Sequence, residues 1–155
     1  MTSVFIRPAD SRDAASMAEL SGQLGYPSTE QDLVDRLAWV LQRDDHLVLV
    51  AQKDGRVVGW LHAFVALRIE SPAFAEIGGL VVAQSERGRG LGQQLVEAAA
   101  AWARRKGLQH IRVRSNVVRT ETHAFYLHLG FAQSKAQMVF TMATGVEGGL
   151  PHRPQ

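Results

Sequence analysis

Apolar residues recur along this chain at two alternating periods, and the switches between them outline a series of strands and helices. Val4 to Arg7 reads as a short strand closed by Pro8. Asp10 can then accept backbone N–H bonds at the start of a helix carrying Ala14, Met17, Leu20 and Leu24 on one face, which Gly22 and Gly25 end. Ser28 and Gln31 have capping-box spacing ahead of a second amphipathic helix with Leu33, Leu37, Val40 and Leu41. Residues 46–52 form a buried strand, and the Asp54-Gly55 pair tolerates positive φ, so residues 57–67 should return antiparallel as a hairpin. A loop around Ser71-Pro72 leads to residues 73–83, a strand interrupted by Gly78-Gly79. Glycines inside a strand mark a bulge or the close approach of another group.

In the second half, Leu91, Leu95, Ala98, Ala99 and Trp102 line one face of a helix. Arg104, Arg105 and Lys106 in its last turn complement the negative end of the dipole, and Gly107 caps it. Residues 110–116 read as a strand, residues 120–129 as a helix ended by Gly130, and residues 135–142 as a last apolar strand suited to self-association. The pattern is a mixed sheet with helices on its faces. One domain is expected over residues 1–143, with 144–155 a disordered C-terminal tail.

Composition narrows the class. A chain of 155 residues with 46% hydrophobic content suffices for one core and is short for two. The formal charge of +2 and the absence of aromatic residues interleaved with the arginines disfavour a nucleic-acid surface. Cysteine is absent, which excludes thiolate metal or redox sites and fits a reducing compartment. The first ten residues carry no apolar signal core and no apolar run is long enough to span a bilayer, so a soluble cytoplasmic protein is expected.

The run from Ser85 to Leu95 places glycines at 88, 90 and 92 among Arg87 and Arg89, and then becomes a helix. A strand entering such a turn presents unpaired N–H groups at the positive end of a helix dipole, and glycines let a bulky anion approach the backbone. This is a phosphate cradle. It lacks the Gly-Lys-Ser/Thr ending of a nucleotide-triphosphate loop, since Gln93 and Gln94 follow Gly92, and its third glycine comes one place too early for the dinucleotide fingerprint.

Residues Arg87-Gly88-Arg89-Gly90-Leu91-Gly92 resemble the R/Q-x-x-G-x-G/A signature of the GNAT superfamily of N-acetyltransferases, and Tyr126 to Phe131 resembles its later Tyr-x-x-x-Gly-Phe helix end. The resemblance follows the element order from Val4 to Thr141. It implies a mixed, mostly antiparallel sheet splayed between its fourth and fifth strands, helices on both faces, and acetyl-CoA as co-substrate. Backbone N–H groups of Gly88, Arg89, Gly90, Leu91, Gly92 and Gln93, in the signature opened by Arg87, would hold the pyrophosphate. Leu80, Val81 and Val82 would pair with the pantetheine arm as an added strand. Gly78-Gly79 would be the bulge at which the thioester enters.

Acetyl transfer to an amine needs a proton acceptor, a donor for the carbonyl oxygen and an acid for the leaving thiolate. By the resemblance Tyr126 is the acid, a phenol of pKa about 10 matched to a thiolate. Glu76 is the candidate base, eleven places before Arg87 in a Phe-Ala-Glu-Ile context like that of the histone-acetylating branch, with a water chain as the alternative. Asn116 could bond the cofactor or a water near the amine, and Arg119 stands where many members carry asparagine. His62, His123 and His128 are weaker candidates, and no metal site is indicated. The acceptor is expected to be a small-molecule or peptide amine, with no nucleic-acid or membrane partner and with a homodimer compatible. The rival reading is a non-catalytic acyl-CoA sensor or scaffold.

Overall fold

The computed structural model describes residues 3–23, 25, 27–115 and 120–147. Two compact units divide the chain, Met1–Val113 and Arg114–Gln155. The first is built on a five-stranded sheet in the order β1-β2-β3-β4-β5. Its strands are β1 Val4–Pro8, β2 His46–Lys53, β3 Arg56–Arg68, β4 Ser71–Val82 and β5 Ile111–Val113. The first four run antiparallel to their neighbours, and β5 is parallel to β4.

Helices cover both faces, as side-chain alternation along the strands requires. Val48 and Val50 of β2 pack with Ala14 and Met17 of α1 (Ala14–Gln23) and with Leu33 and Leu37 of α2 (Glu30–Val40). Ala51 and Gly59 face the other way, where a Cβ on Gly59 would meet Leu95 of α3 (Leu91–Arg105) at 3.5 Å and Ala51 at 3.7 Å. Leu95 and Ala99 are fully buried there.

Local codes explain the starts and stops. Asp10 accepts the Arg12 N–H at 2.8 Å while Asp13 accepts the Asp10 N–H at 2.8 Å, a reciprocal cap on a 3-10 turn that runs into α1. The second capping box is Thr29 with Asp32, one residue after the expected Ser28 and Gln31. A helix starting at Glu30 puts Leu33 and Leu37 inward, and Ser28 instead accepts a bond from Arg36. Asp54 and Gly55 have φ of 52° and 75°, as a two-residue hairpin turn with right-handed strand twist demands. Gly107, at φ 78°, ends α3 with Leu108 N–H on Ala103 O and Gly107 N–H on Arg104 O.

Three expectations are corrected. Ser71 and Pro72 belong to β4 rather than to a loop, and the turn lies at Ile69-Glu70. Pro72 is tolerated because β5 reaches β4 only from Ala75. The fifth strand is three residues long, with Arg114 and Ser115 outside it. Residues 135–142 form no strand: adjacent Met138 and Val139 are 80% and 79% exposed, so neither parity of the alternating pattern has a buried side.

In the second unit, α4 (Thr120–His128) closes in the same manner as α3. Phe131 N–H bonds Tyr126 O at 3.0 Å, Gly130 N–H bonds Leu127 O at 3.1 Å, and Gly130 takes φ 102°. Phe131 stands edge-on to Tyr126 with centroids 5.4 Å apart. The Tyr-x-x-x-Gly-Phe pattern is thus a left-handed helix stop whose aromatic pair supplies the accompanying apolar contact.

Candidate active site

The parting of the sheet follows from register. β5 pairs with β4 only at Ala75, Glu76 and Ile77, so beyond Ile77 no described strand lies on that side of β4. Gly78 is the bulge residue: His62 stands opposite Gly79 and Ala63 opposite Ile77, which leaves Gly78 without a β3 partner. Rings of β3 lie against the side of each glycine where a Cβ would stand. A Cβ on Gly78 would meet Phe64 at 3.1 Å and His62 Nδ1 at 3.3 Å, and one on Gly79 would meet the Trp60 ring at 2.8 Å. Leu80, Val81 and Val82 continue along β3 opposite Leu61, Trp60 and Gly59, and no described strand pairs with their other edge.

That edge leads through a 3-10 turn, Gln84–Glu86, into the glycine turn. Gly88 and Gly90 adopt φ of 79° and 82°, with open space where their side chains would stand. Gly90 is the N-cap of α3 and supplies no side-chain cap. The first ladder bond is Gln94 N–H to Gly90 O at 3.0 Å, so the N–H groups of Leu91, Gly92 and Gln93 precede the ladder at the positive end of the dipole. Arg87 and Arg89 are exposed beside them.

The turn is anchored by a contact that the sequence did not disclose. Lys53 Nζ on β2 donates to both oxygens of Glu86 at 3.1 and 3.0 Å, and Arg89 lies 3.6 Å from the same carboxylate. Gln23 at the end of α1 accepts the Gln84 N–H at 3.2 Å.

Glu76 pairs in register with Phe64, which puts it on the sheet face that carries His62 and is covered by α1 and α2. His62 has a partner that sequence reasoning passed over: its Nε2 lies 2.9 Å from His46 Nδ1, and the two rings stack with centroids 5.1 Å apart. Burial first, and then the neighbouring His46, hold the His62 pKa down at about 4. Tyr126 belongs to the second unit, where Phe125 and Phe131 flank its ring and burial raises its pKa above the usual phenol range. His123 and His128 lie on α4 with it. Asn116 and Arg119 lie outside the described residues, as do Leu24 and Tyr26 beside the expected acceptor wall.

A model of the acetyltransferase (GNAT) family matches residues 14–131, from the first turn of α1 to the end of the tyrosine helix. The chain belongs to this family. It is an acyltransferase of the N-acetyltransferase type. An aminoglycoside N(6')-acetyltransferase type 1 of Stenotrophomonas maltophilia is 29% identical over 144 residues, 88% of this chain and 92% of that protein. An aminoalkylphosphonate N-acetyltransferase of Salmonella typhimurium is 33% identical over 86 residues, 55% of this chain and 56% of that protein. The solved structure of AAC(6')-Iy in complex with a CoA-S-monomethyl-acetylneamine bisubstrate analog superposes with a TM-score of 0.81 at 21% identity, covering 91% of this chain and 99% of that one. That last likeness is one of fold. Among the described residues, no helix of this GNAT protein is long and apolar enough to cross a membrane.

Proposed function

We propose that this enzyme moves an acetyl group from acetyl-CoA to a primary amine by direct attack within a ternary complex, using residues 1–143 as its catalytic domain. The observation that carries the reading is the sequence of a β4 edge that no described strand pairs, Leu80 to Val82, followed by a turn whose left-handed glycines lead to the uncapped start of α3. Such a surface suits a ligand with an amide-rich arm and a diphosphate: amides of the arm add to the strand edge, and the N–H groups from Gly88 to Gln93 receive the phosphates. Arg87 and Arg89 add charge at the rim.

In this reading the amine nitrogen attacks the thioester carbon, a carbon–nitrogen bond forms, and the carbon–sulfur bond breaks. Tyr126 supplies the proton that the leaving thiolate takes up. Burial keeps its hydroxyl protonated, as an acid requires. Glu76 engages the ammonium on the amine side, and the proton leaves either to it or along a separate route. The acceptor is a small amine entering from the face covered by α1 and α2.

Calorimetry with acetyl-CoA and a consumption assay against a panel of primary amines test this together. Binding with turnover of at least one amine is the expected result. Binding without turnover of any amine would leave a sensor, and no binding would overturn the reading.

A further inference from the structure

On the sheet face covered by α1 and α2, a row of polar side chains runs from the bulge to the surface. It begins at His62, opposite Gly79, whose Nδ1 lies 3.3 Å from where a Gly78 Cβ would stand. Gly78 itself is exposed, and it is the bulge residue next to Ile77, the last residue of β4 that pairs with β5, so His62 lies beside the point where the pairing of β4 with β5 ends. His62 Nε2 meets His46 Nδ1 at 2.9 Å. His46 Nε2 faces Asp45 Oδ1 at 4.0 Å, and Arg43 grips Asp45 through bonds of 3.0 and 3.1 Å. Exposure rises along the row, from 17% for the His46 side chain to 34% for Asp45. Phe64 stacks on His46 at 5.6 Å and Trp39 stands edge-on to it at 6.5 Å, which fixes the ring in place.

We propose that His62 accepts the proton of the attacking amine and that His46 carries it on toward Asp45. This rests on the acetyltransfer reading above and adds to it a route for the proton. The ammonium first gives up one proton to solvent and becomes the neutral amine; as that amine attacks, an N–H bond breaks and its proton goes to His62 Nδ1, while the hydrogen on His62 Nε2 passes to His46 Nδ1. The positive charge then sits on His46, next to a carboxylate, and a proton leaves from there to solvent. The carbon–nitrogen bond forms as the proton departs, and the thiolate takes its own proton from Tyr126.

The charged and titratable neighbours suit that direction of flow. Burial lowers the pKa of both histidines, so each ring is neutral near pH 7, and the burial that keeps His62 neutral also disfavours holding a proton there, so the charge passes on to His46. The hydrogen bond from Arg43 lowers the pKa of Asp45, which stays ionised at the far end. Asp45 favours charge on His46 and Arg43 opposes it. Glu76, on β4 opposite Phe64, is a further carboxylate of this face, and in this scheme it holds the ammonium by charge without itself accepting a proton. His62 is then a catalytic residue and His46 a positioning residue that acts through it.

Steady-state kinetics with an amine that the wild type acetylates, run from pH 6 to 9, test the assignment. His62→Phe should lower kcat about a hundredfold with the calorimetric affinity for acetyl-CoA unchanged. His62→Gln, polar and without a basic nitrogen, should do the same, and it carries the test should the phenylalanine variant not fold. Free imidazole should restore part of the rate to His62→Ala. His46→Phe should lower kcat about tenfold and alter the pH profile, and the double variant should be no slower than His62→Phe, since the two rings act as one unit. Glu76→Gln should raise the amine KM more than it lowers kcat. Wild-type kcat and an unchanged pH profile in both His62 variants would overturn the proton route and leave acetyl transfer standing. A wild type that binds acetyl-CoA and acetylates no amine would overturn both.

Discussion

Trp60 lays the edge of its indole across Gly79: a Cβ at that position would stand 2.8 Å from two ring carbons, although Trp60 pairs with Val81 and Gly79 with His62. The ring packs against the core formed by α1, α2 and β2, so it cannot retreat freely. Gly79→Ala should therefore cost about 1–3 kcal/mol, read as a lowered urea midpoint. Adding Trp60→Leu should recover part of the loss. A Gly79→Ala protein as stable as the wild type would contradict this packing.

Gly90 isolates a backbone effect. It has a φ of 82° and open space around it, so Gly90→Ala meets no clash and feels only the left-handed conformation, a penalty of roughly 1–2 kcal/mol. Relaxation of the turn would misdirect the N–H groups that start α3. Acetyl-CoA affinity measured by calorimetry should fall about tenfold, while the circular dichroism spectrum stays that of the wild type.

Tyr126→Phe separates the proposed acid from its scaffold. The Phe131 N–H bonds the main-chain carbonyl of residue 126, and the edge-on ring pair needs no hydroxyl, so the helix stop should survive. Loss of about a hundredfold in kcat with unchanged acetyl-CoA affinity is expected. Because burial raises the Tyr126 pKa, the wild-type rate should show no loss of this acid until the pH exceeds 10.

Acid stability should carry the mark of His62. The unfolded chain protonates this ring below about pH 6.5, whereas the folded protein holds it neutral down to about 4. Across that window the unfolded state binds more protons, so stability falls as the pH drops and is fully retained above it. The loss should approach about 3 kcal/mol by pH 4. Melting temperatures from pH 7 to 4 should decline more steeply for the wild type than for His62→Phe, and parallel curves would refute the linkage.

Several parts of this site were legible because short-range rules write them. The turn at Arg87 to Gly92 depends on glycine's access to positive φ and on the polarity of a helix start, both properties of consecutive residues. Gly130 and Phe131 mark a helix stop for the same reason. The failures are of another kind. Residues 135–142 alternate like a strand, yet a strand exists only where an edge receives it. The capping box lies one residue on because Thr29 and Asp32 bond each other's backbone N–H while Ser28 accepts from Arg36 instead.

Taken alone, the sequence determined the order of strands and helices from β1 to α4, the left-handed turns and the uncapped start of α3, since each is an energy between near neighbours. Tertiary structure decided which side chains meet. An extra residue at Val58 shifts the pairing of β2 with β3, from Gln52 opposite Val57 to Ala51 opposite Gly59. Without it His62 would stand opposite Leu47 and turn its ring to the face of α3; with it His62 stands opposite Val48, on the same face as His46. One unpaired residue thus joins two histidines sixteen positions apart, because side chains alternate along a strand and a single slip reverses which face they share.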